Sequence, residues 1–508
     1  MNEEKKFSTG TSYWMDSVTL PDFPSLEETI DTDVGIVGAG ITGLTTAYLL
    51  AKNNIKTVLI DANGILEGTT GHTTAKITAQ HGLIYDELIN HFGKESASLY
   101  YKAATDAISI IENTVRDLQI ECDFSKEDAY IYTDDEEYIS QLENEAKAYE
   151  KLDIPGGIVD DLPLEIPYKK ALVMKNQAQF HPLKYLLALA EACKQAGVTI
   201  YTDTPAIDVE HYKHPAIITR AGHRIKCKNV VVASHFPFHD GQGLYPIRMY
   251  AERAYVLAVK TKEQFPGGMY INAEDPTRSI RALSSKEENI WLIVGENHKT
   301  GQGEQMTTHY EALKEFAQKQ FGIAEVLYHW STQDLTTLDK LPYIGPITKT
   351  EDAVYVGTGY RKWGMTSGTI AGKIISDAII GKENAYAHIF SPSRFKADPS
   401  ARKLIRGNTD VAKHLLKGKL DFTKERFDDL SVDEAVITRI DGKRAGVYKD
   451  AENQLHIVDT TCTHWGCEVA WNDAERTWDC PCHGSRFSYT GDVIEGPAKR
   501  PLKHIDGE

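Results

Sequence analysis

The chain has 508 residues, 41% apolar and 25% charged, which is ordinary globular composition with length for roughly three folding units. A net charge of −17 and a pI near 5.6 argue against nucleic acid as a partner, because counterion release from a polyanion needs a basic surface. The polar start, Met1 to Phe7, and the lack of any apolar run long enough to span a bilayer predict a cytoplasmic protein without a transmembrane segment.

A polar lead-in over residues 1–32 carries Pro21 and Pro24 and stops just before the first aliphatic strand, Val34 to Val37. A helix is predicted over Thr42 to Lys52, a buried strand over Thr57 to Ile60 and a long helix over Tyr85 to Leu118, the opening of a parallel α/β sheet. His181 to Gly197 reads as a further helix, followed by strand-like runs at Val198 to Ile207, Ala216 to Arg220 and Asn229 to Ala233. Met249 to Val259 and Ile290 to Val294 read as strands of a second sheet. A turn around Pro342 to Pro346 leads to the strand Ala353 to Val356 and then to a glycine-rich helix start, with the helix running to about Ile380. Over 384–420 the apolar pattern thins into an expected connector. From about Asp421, short strands with turn signals at Asp441-Gly442 and Tyr489 to Gly491 suggest a small all-β domain.

Directly after the first strand, Gly38-Ala39-Gly40-Ile41-Thr42-Gly43 opens a helix, the context in which a G-x-G-x-x-G pattern binds a dinucleotide. Gly38 permits the tight turn, Gly40 lets the backbone approach a pyrophosphate at the positive helix end, and Gly43 allows close packing of helix on strand. Asp61 ends the next strand, where a carboxylate accepts hydrogen bonds from ribose hydroxyls. That carboxylate favours FAD or NAD over NADP and leaves the choice between those two open.

Taken with this fingerprint, the segment from Ala353 to Gly368, with its Val356-Gly357-Thr358-Gly359 and Trp363-Gly364-Met365-Thr366 runs, resembles the D-amino-acid oxidase, glycine oxidase and sarcosine oxidase superfamily of FAD enzymes. The resemblance covers about Asp33 to Gly381, including the turn from Leu341 to Pro346. It implies an α/β FAD-binding domain of the Rossmann-like, glutathione-reductase type, built from segments near 33–80, 168–240 and 330–383. Interleaved with it would be an α+β substrate domain near 81–167 and 241–329, the whole oxidoreductase spanning 33–383. Gly359, Gly364, Met365 and Thr366 would sit at the flavin, whose anionic reduced ring a positive helix end stabilises.

The same resemblance lays the loop Gly68 to Lys76 along the flavin, with Thr70 and Thr73 as contacts. His72 lies where dimethylglycine and sarcosine dehydrogenases of the superfamily carry a histidine bonded covalently to FAD, although Gly71 stands in place of their tryptophan. The implied substrate is an amine or amino acid. Arg361 follows Tyr360 close to the carboxylate-binding arginine of glycine oxidase, one residue out of step, and Arg253 and Tyr255 on the second sheet are the other candidates.

Of seven cysteines, Cys122, Cys193 and Cys227 are scattered, whereas four crowd into Cys462-Thr463-His464-Trp465-Gly466-Cys467 and Cys480-Pro481-Cys482-His483-Gly484-Ser485. These Cys-x-His and Cys-x-x-His boxes, fifteen residues apart, resemble the Rieske [2Fe-2S] domains of cytochrome bc complexes over about Asp421 to Leu502, in a domain of residues 421–508. In that arrangement Cys462 and Cys480 hold one iron as thiolates and His464 and His483 hold the other as imidazoles, for a potential between about −150 and +300 mV. Cys467 and Cys482 match the disulfide that pins the two loops, a bond uncommon in cytosol unless shielded from the thiol pool. Ser485 matches a serine that hydrogen-bonds a bridging sulfide, and Phe487 replaces a tyrosine, which predicts a potential below that of the respiratory proteins. The run Gly496-Pro497-Ala498 matches the loop that covers the cluster. A structural zinc site is the competing reading of paired Cys and His, but zinc knuckles seldom use Cys-x-His with a spare cysteine pair.

The two ends together predict an FAD-dependent amine or amino-acid dehydrogenase that passes electrons through FAD to the cluster and on to an external acceptor the sequence does not name. A two-electron flavin feeding a one-electron cluster makes a splitter. Two other classes compete. A Rieske oxygenase needs a two-His, one-carboxylate iron site, for which no constellation is evident. A non-catalytic redox sensor or electron carrier would have an inactive pocket, and turnover with any amine would exclude it.

Overall fold

The runs Val34–Val37, Thr57–Ile60 and Val354–Thr358 are buried throughout, as strands covered on both faces must be. They belong to a six-stranded sheet in the order Tyr343–Pro346, Val354–Thr358, Asn229–Val232, Val34–Val37, Thr57–Ile60, Thr199–Tyr201, in which only the first strand is antiparallel. This computed structural model describes residues 10–394, 427 and 430–505, leaving out 212–213, 242, 284–288 and 304 among them. Most of the connector predicted over 384–420, and the start of the all-β domain at 421–426, lie outside the described residues.

Helices form where predicted, over Ile41–Ala51, Tyr85–Asp117, Pro182–Gln195 and Gly364–Ile379, the long second one bent at Gly93, where φ is 84°. The single run expected over Val198 to Ile207 is two strands of different sheets. Asp203 takes φ of 48° and the Thr204 N–H donates to the Asp61 carbonyl (2.8 Å), which turns the chain out of the first sheet. The helices Glu136–Lys151 and Thr307–Phe321 were not predicted; charged and polar residues fill most of their surface, so the apolar stripe is thin.

Among the described residues the second sheet has nine strands, with Met249–Thr261 paired antiparallel to Ile290–Lys299 on one side and to Ile323–Thr337 on the other. Lys76–Ile77 and Lys170–Gln179 also pair in this sheet, so the predicted interleaving near residues 80 and 168 is displaced by one strand each. The described part of the lead-in, from residue 10 onward, is part of the fold. Ile30–Asp31 pairs with Arg224–Lys226, Trp14 is buried with its indole N–H on the Thr73 carbonyl (2.7 Å), and Ser12 Oγ donates to Gly71 (2.6 Å).

The C-terminal domain is all-β. A three-stranded antiparallel sheet (Ala435–Ile440, Lys443–Lys449, Leu455–Asp459) faces a four-stranded one (Ala470–Asn472, Thr477–Asp479, Arg486–Ser488, Val493–Glu495). Its core of Trp478, Phe487, Val458 and Tyr448 also encloses Cys462, Cys467, Cys480 and Cys482. No helix among the described residues is long and apolar enough to cross a membrane.

Candidate functional site

At the carboxyl ends of the first sheet the fingerprint wraps a cavity of about 350 Å³. A Cβ on Gly43 would stand 1.9 Å from the Gly38 carbonyl oxygen, so only glycine lets the helix Ile41–Ala51 start this close to its strand. Asp61 accepts the Ala39 N–H at Oδ2 (2.6 Å) and the Asn63 N–H at Oδ1 (3.2 Å), and burial pushes its carboxyl up to about 6. Gly38, Gly40, Asp61, Thr70, Thr73, Gly364 and Met365 all line the cavity as expected. A glycine cradle at a helix start, an acidic strand end and a hydroxyl-lined loop in one cavity are a donor and acceptor set that fits an extended dinucleotide. Gly43, Gly359 and Thr366 support it from behind: Gly359 takes φ of 78° in the turn, and the buried Thr366 hydroxyl donates to the Thr78 carbonyl (3.1 Å).

Four expected residues lie elsewhere. His72 closes the short 3-10 turn Thr69–His72, with its Nδ1 3.0 Å from the Gly68 carbonyl, and does not line the cavity, so no covalent flavin bond is indicated there. Arg361, at φ of 48°, spends its guanidinium on the His81 carbonyl (2.7 Å) and is also outside the lining. Arg253 and Tyr255 fail as substrate residues for a reason of strand geometry. Side chains alternate along Met249–Thr261, and it is Ala254, between them, that faces the cavity. Arg253 instead pairs with Glu475 of the C-terminal domain (3.0 Å), and the Tyr255 hydroxyl meets His298 (3.0 Å). Lys76 was missed: it lines the cavity beside Thr277 and Ser279, its ammonium bonded to Ser279 and the Tyr270 carbonyl.

The second site lies at the tip of the C-terminal domain. Cys467 and Cys482 form a disulfide that clips the two loops together. This removes both from any metal set and leaves Cys462 and Cys480 facing each other, a hydrogen bond between the thiols lowering Cys462 and raising Cys480. The rings of His464 and His483 lie 5.1 Å apart, and Nδ1 of each is buried without a hydrogen-bond partner. Buried ring nitrogens left unsatisfied beside two thiols fit a cluster ligated by two Cys and two His. Ser485 Oγ accepts the Ala498 N–H (3.0 Å) and also hydrogen-bonds Cys462, tying the loop Gly496-Pro497-Ala498 to this site. Phe487 is fully buried.

The two sites share a wall. In the paired strands Met249–Thr261 and Ile323–Thr337, Arg253 stands opposite Gln333 and Ala254 opposite Thr332. Ala254, Thr332 and Asp334 face the cavity; Ala251, Arg253 and Gln333 face the C-terminal domain. Gln333 Nε2 donates to the Gly484 carbonyl (2.9 Å), next to His483, while its own carbonyl accepts from Thr69 of the cavity loop (3.3 Å). Gly484 must be glycine, because its φ is 79° and a Cβ would stand 2.4 Å from that of Ala251. Around this contact Asp473 caps the helix Thr307–Phe321 through the Met306 N–H (2.7 Å) and Thr307 Oγ1 (2.7 Å), and Asp240 reaches His464 Nε2 at 3.0 Å.

Residues 33–378 match the profile of the FAD dependent oxidoreductases, and residues 424–506 that of the Rieske [2Fe-2S] domain. The chain belongs to the FAD dependent oxidoreductase family, with a Rieske domain at its C-terminal end. A putative Rieske 2Fe-2S iron-sulfur protein of Bacillus subtilis, YhfW, is 51% identical over 97% of each chain. Gamma-glutamylputrescine oxidoreductase of Escherichia coli is 21% identical, over 71% of this chain and 86% of that one. Glycine oxidase of Geobacillus kaustophilus has the same fold at 18% identity, with a TM-score of 0.61 over 72% of this chain and 99% of that one. This family member is an FAD-dependent oxidoreductase, and its two cofactors are FAD and a [2Fe-2S] cluster.

Proposed function

We propose that the chain is a dehydrogenase that oxidises an amine or amino acid at the FAD cavity and sends the electrons through the docked Rieske domain to an external acceptor. When bound, FAD supplies a two-electron acceptor for a C–N bond and the cluster a one-electron carrier. The observation that carries the reading is the shared wall: the cluster loop and the FAD cavity occupy opposite faces of the same two strands, bridged by Gln333. Lys76 is one of the cationic groups that line this cavity, beside Thr277 and Ser279. Burial, with the Arg281 charge nearby, brings its ammonium down to about 7. An ammonium substrate must lose a proton before its C–N bond can be oxidised, and Lys76 is placed to take it. Lys76→Met is expected to retain FAD and to lose about 100-fold in kcat/KM.

The test is anaerobic photoreduction followed by frozen-solution EPR beside the visible flavin spectrum, then an amine and amino-acid screen with artificial acceptors. A cluster signal that grows in after flavin reduction, in enzyme and not in flavin-free protein, supports the relay. Fully reduced flavin beside an oxidised, EPR-silent cluster would overturn it.

A further inference from the structure

The strand Val493–Glu495 and the loop that continues it to Lys499 belong to the Rieske domain, yet they line the same cavity as the nucleotide fingerprint of the other domain. A chain of hydrogen bonds fixes which end of the cavity it reaches. The Asp61 carbonyl accepts the Thr204 N–H (2.8 Å), the Pro205 carbonyl accepts the Arg220 N–H (2.8 Å), and Arg220 Nη2 donates to the Lys499 carbonyl (3.0 Å). Gly496 lies against Phe236, itself a lining residue just past the strand Asn229–Val232. The loop therefore stands over the end where Asp61 would hold the ribose.

We propose that this Rieske loop is the lid over the nucleoside half of the FAD site, so that the flavoenzyme domain alone presents an incomplete cofactor pocket and FAD is retained by the docked Rieske domain. Three side chains of this strand and loop have the chemistry for it. Ile494 is one of the few large apolar side chains left exposed among the described residues, 41% accessible, and it lies on the cavity, an apolar surface for a purine ring. Glu495 is held by Arg486 through one oxygen (3.5 Å) while its other oxygen is buried without a partner, an acceptor for a nucleoside donor. Lys499 brings a cation to a cavity built for an anionic dinucleotide. Because one surface is made by both partners, FAD binding and domain docking must strengthen each other by the same factor.

The test needs no substrate, so it stands or falls separately from amine oxidation. Full-length holoenzyme is diluted into flavin-free buffer and FAD release is followed as free-flavin fluorescence, for the wild type, Ile494→Gly, Lys499→Glu and Leu455→Gly. Leu455 is exposed on the same domain and away from the cavity. The expected result is release about 10-fold faster in the first two variants, the loss of one apolar or one charged contact, with Leu455→Gly unchanged. The EPR signal of the reduced cluster certifies that each variant keeps its Rieske fold. Release rates within two-fold of wild type in both loop variants, with that signal intact, would overturn the proposal, as would an equal acceleration by Leu455→Gly.

Discussion

Asp240 of the flavoprotein portion hydrogen-bonds His464, Oδ2 to Nε2 at 3.0 Å, so a carboxylate from one domain rests on a histidine that would hold the cluster in the other. A carboxylate on a ligating imidazole raises its basicity and favours the oxidised iron. Asp240→Asn is expected to raise the cluster midpoint potential by about 50 mV, the equivalent of roughly 1 kcal/mol for one electron. A potentiometric EPR titration at fixed pH checks it, and a lowered potential would refute it.

Glu475 is clamped between Arg253 (3.0 Å) and Arg486 (3.4 Å) and accepts the Tyr310 hydroxyl (3.0 Å). Burial alone would raise its carboxyl, but the two guanidinium charges bring it down to about 2. A depressed carboxyl contributes stability above its unfolded value, near 4.5, and loses it as pH falls towards 2. Thermal unfolding of Glu475→Gln should show a loss of about 3–5 kcal/mol at neutral pH, because Arg253 is left buried without its counter-charge. The difference from wild type should shrink between pH 4.5 and 2.

Asp61 carries the opposite sign. Burial raises its carboxyl to about 6, and the ionised form is the one that accepts hydrogen bonds from ribose hydroxyls. FAD affinity should therefore be flat above neutrality and weaken as pH falls through 6. Asp61→Ala should weaken binding about 10- to 100-fold at pH 8 and abolish that pH dependence. Fluorescence titration of flavin-free protein with FAD measures both.

His72 is expected to be dispensable for flavin attachment, since its ring is bonded to the Gly68 carbonyl at 3.0 Å and is not in the cavity lining. Acid precipitation of the wild type should leave all the yellow colour in the supernatant, and His72→Ala should bind FAD to the same stoichiometry. Colour in the wild-type pellet would contradict the geometry.

Both cofactor sites were legible because each depends on residues close together in the chain. The glycines at 38, 40 and 43 and Asp61 answer to a strand, a turn and a helix in immediate succession, and the two Cys–His boxes lie within one small domain. The wall between them was not legible. Arg253 and Glu475 are 222 positions apart, and nothing local to Arg253 says that its strand face is covered by another domain. An arginine on a strand beside a flavin pocket looks like a substrate anchor until the alternation of that strand is fixed in register with its neighbours. Arg361 misled for a related reason: its left-handed backbone sends the guanidinium to His81, and φ is not written in the residue name.

The partition formed by Met249–Thr261 and Ile323–Thr337 also divides the protein's capacity to vary. Along each strand, neighbouring positions answer to different domains: Ala254 and Thr332 to the FAD cavity, Arg253 and Gln333 to the Rieske domain. Substitutions at one parity can reshape the substrate chamber while the cluster's surroundings keep their contacts, and the reverse holds for the other. A single inserted residue would exchange the two sets at once, so this stretch should tolerate many replacements and almost no change of length.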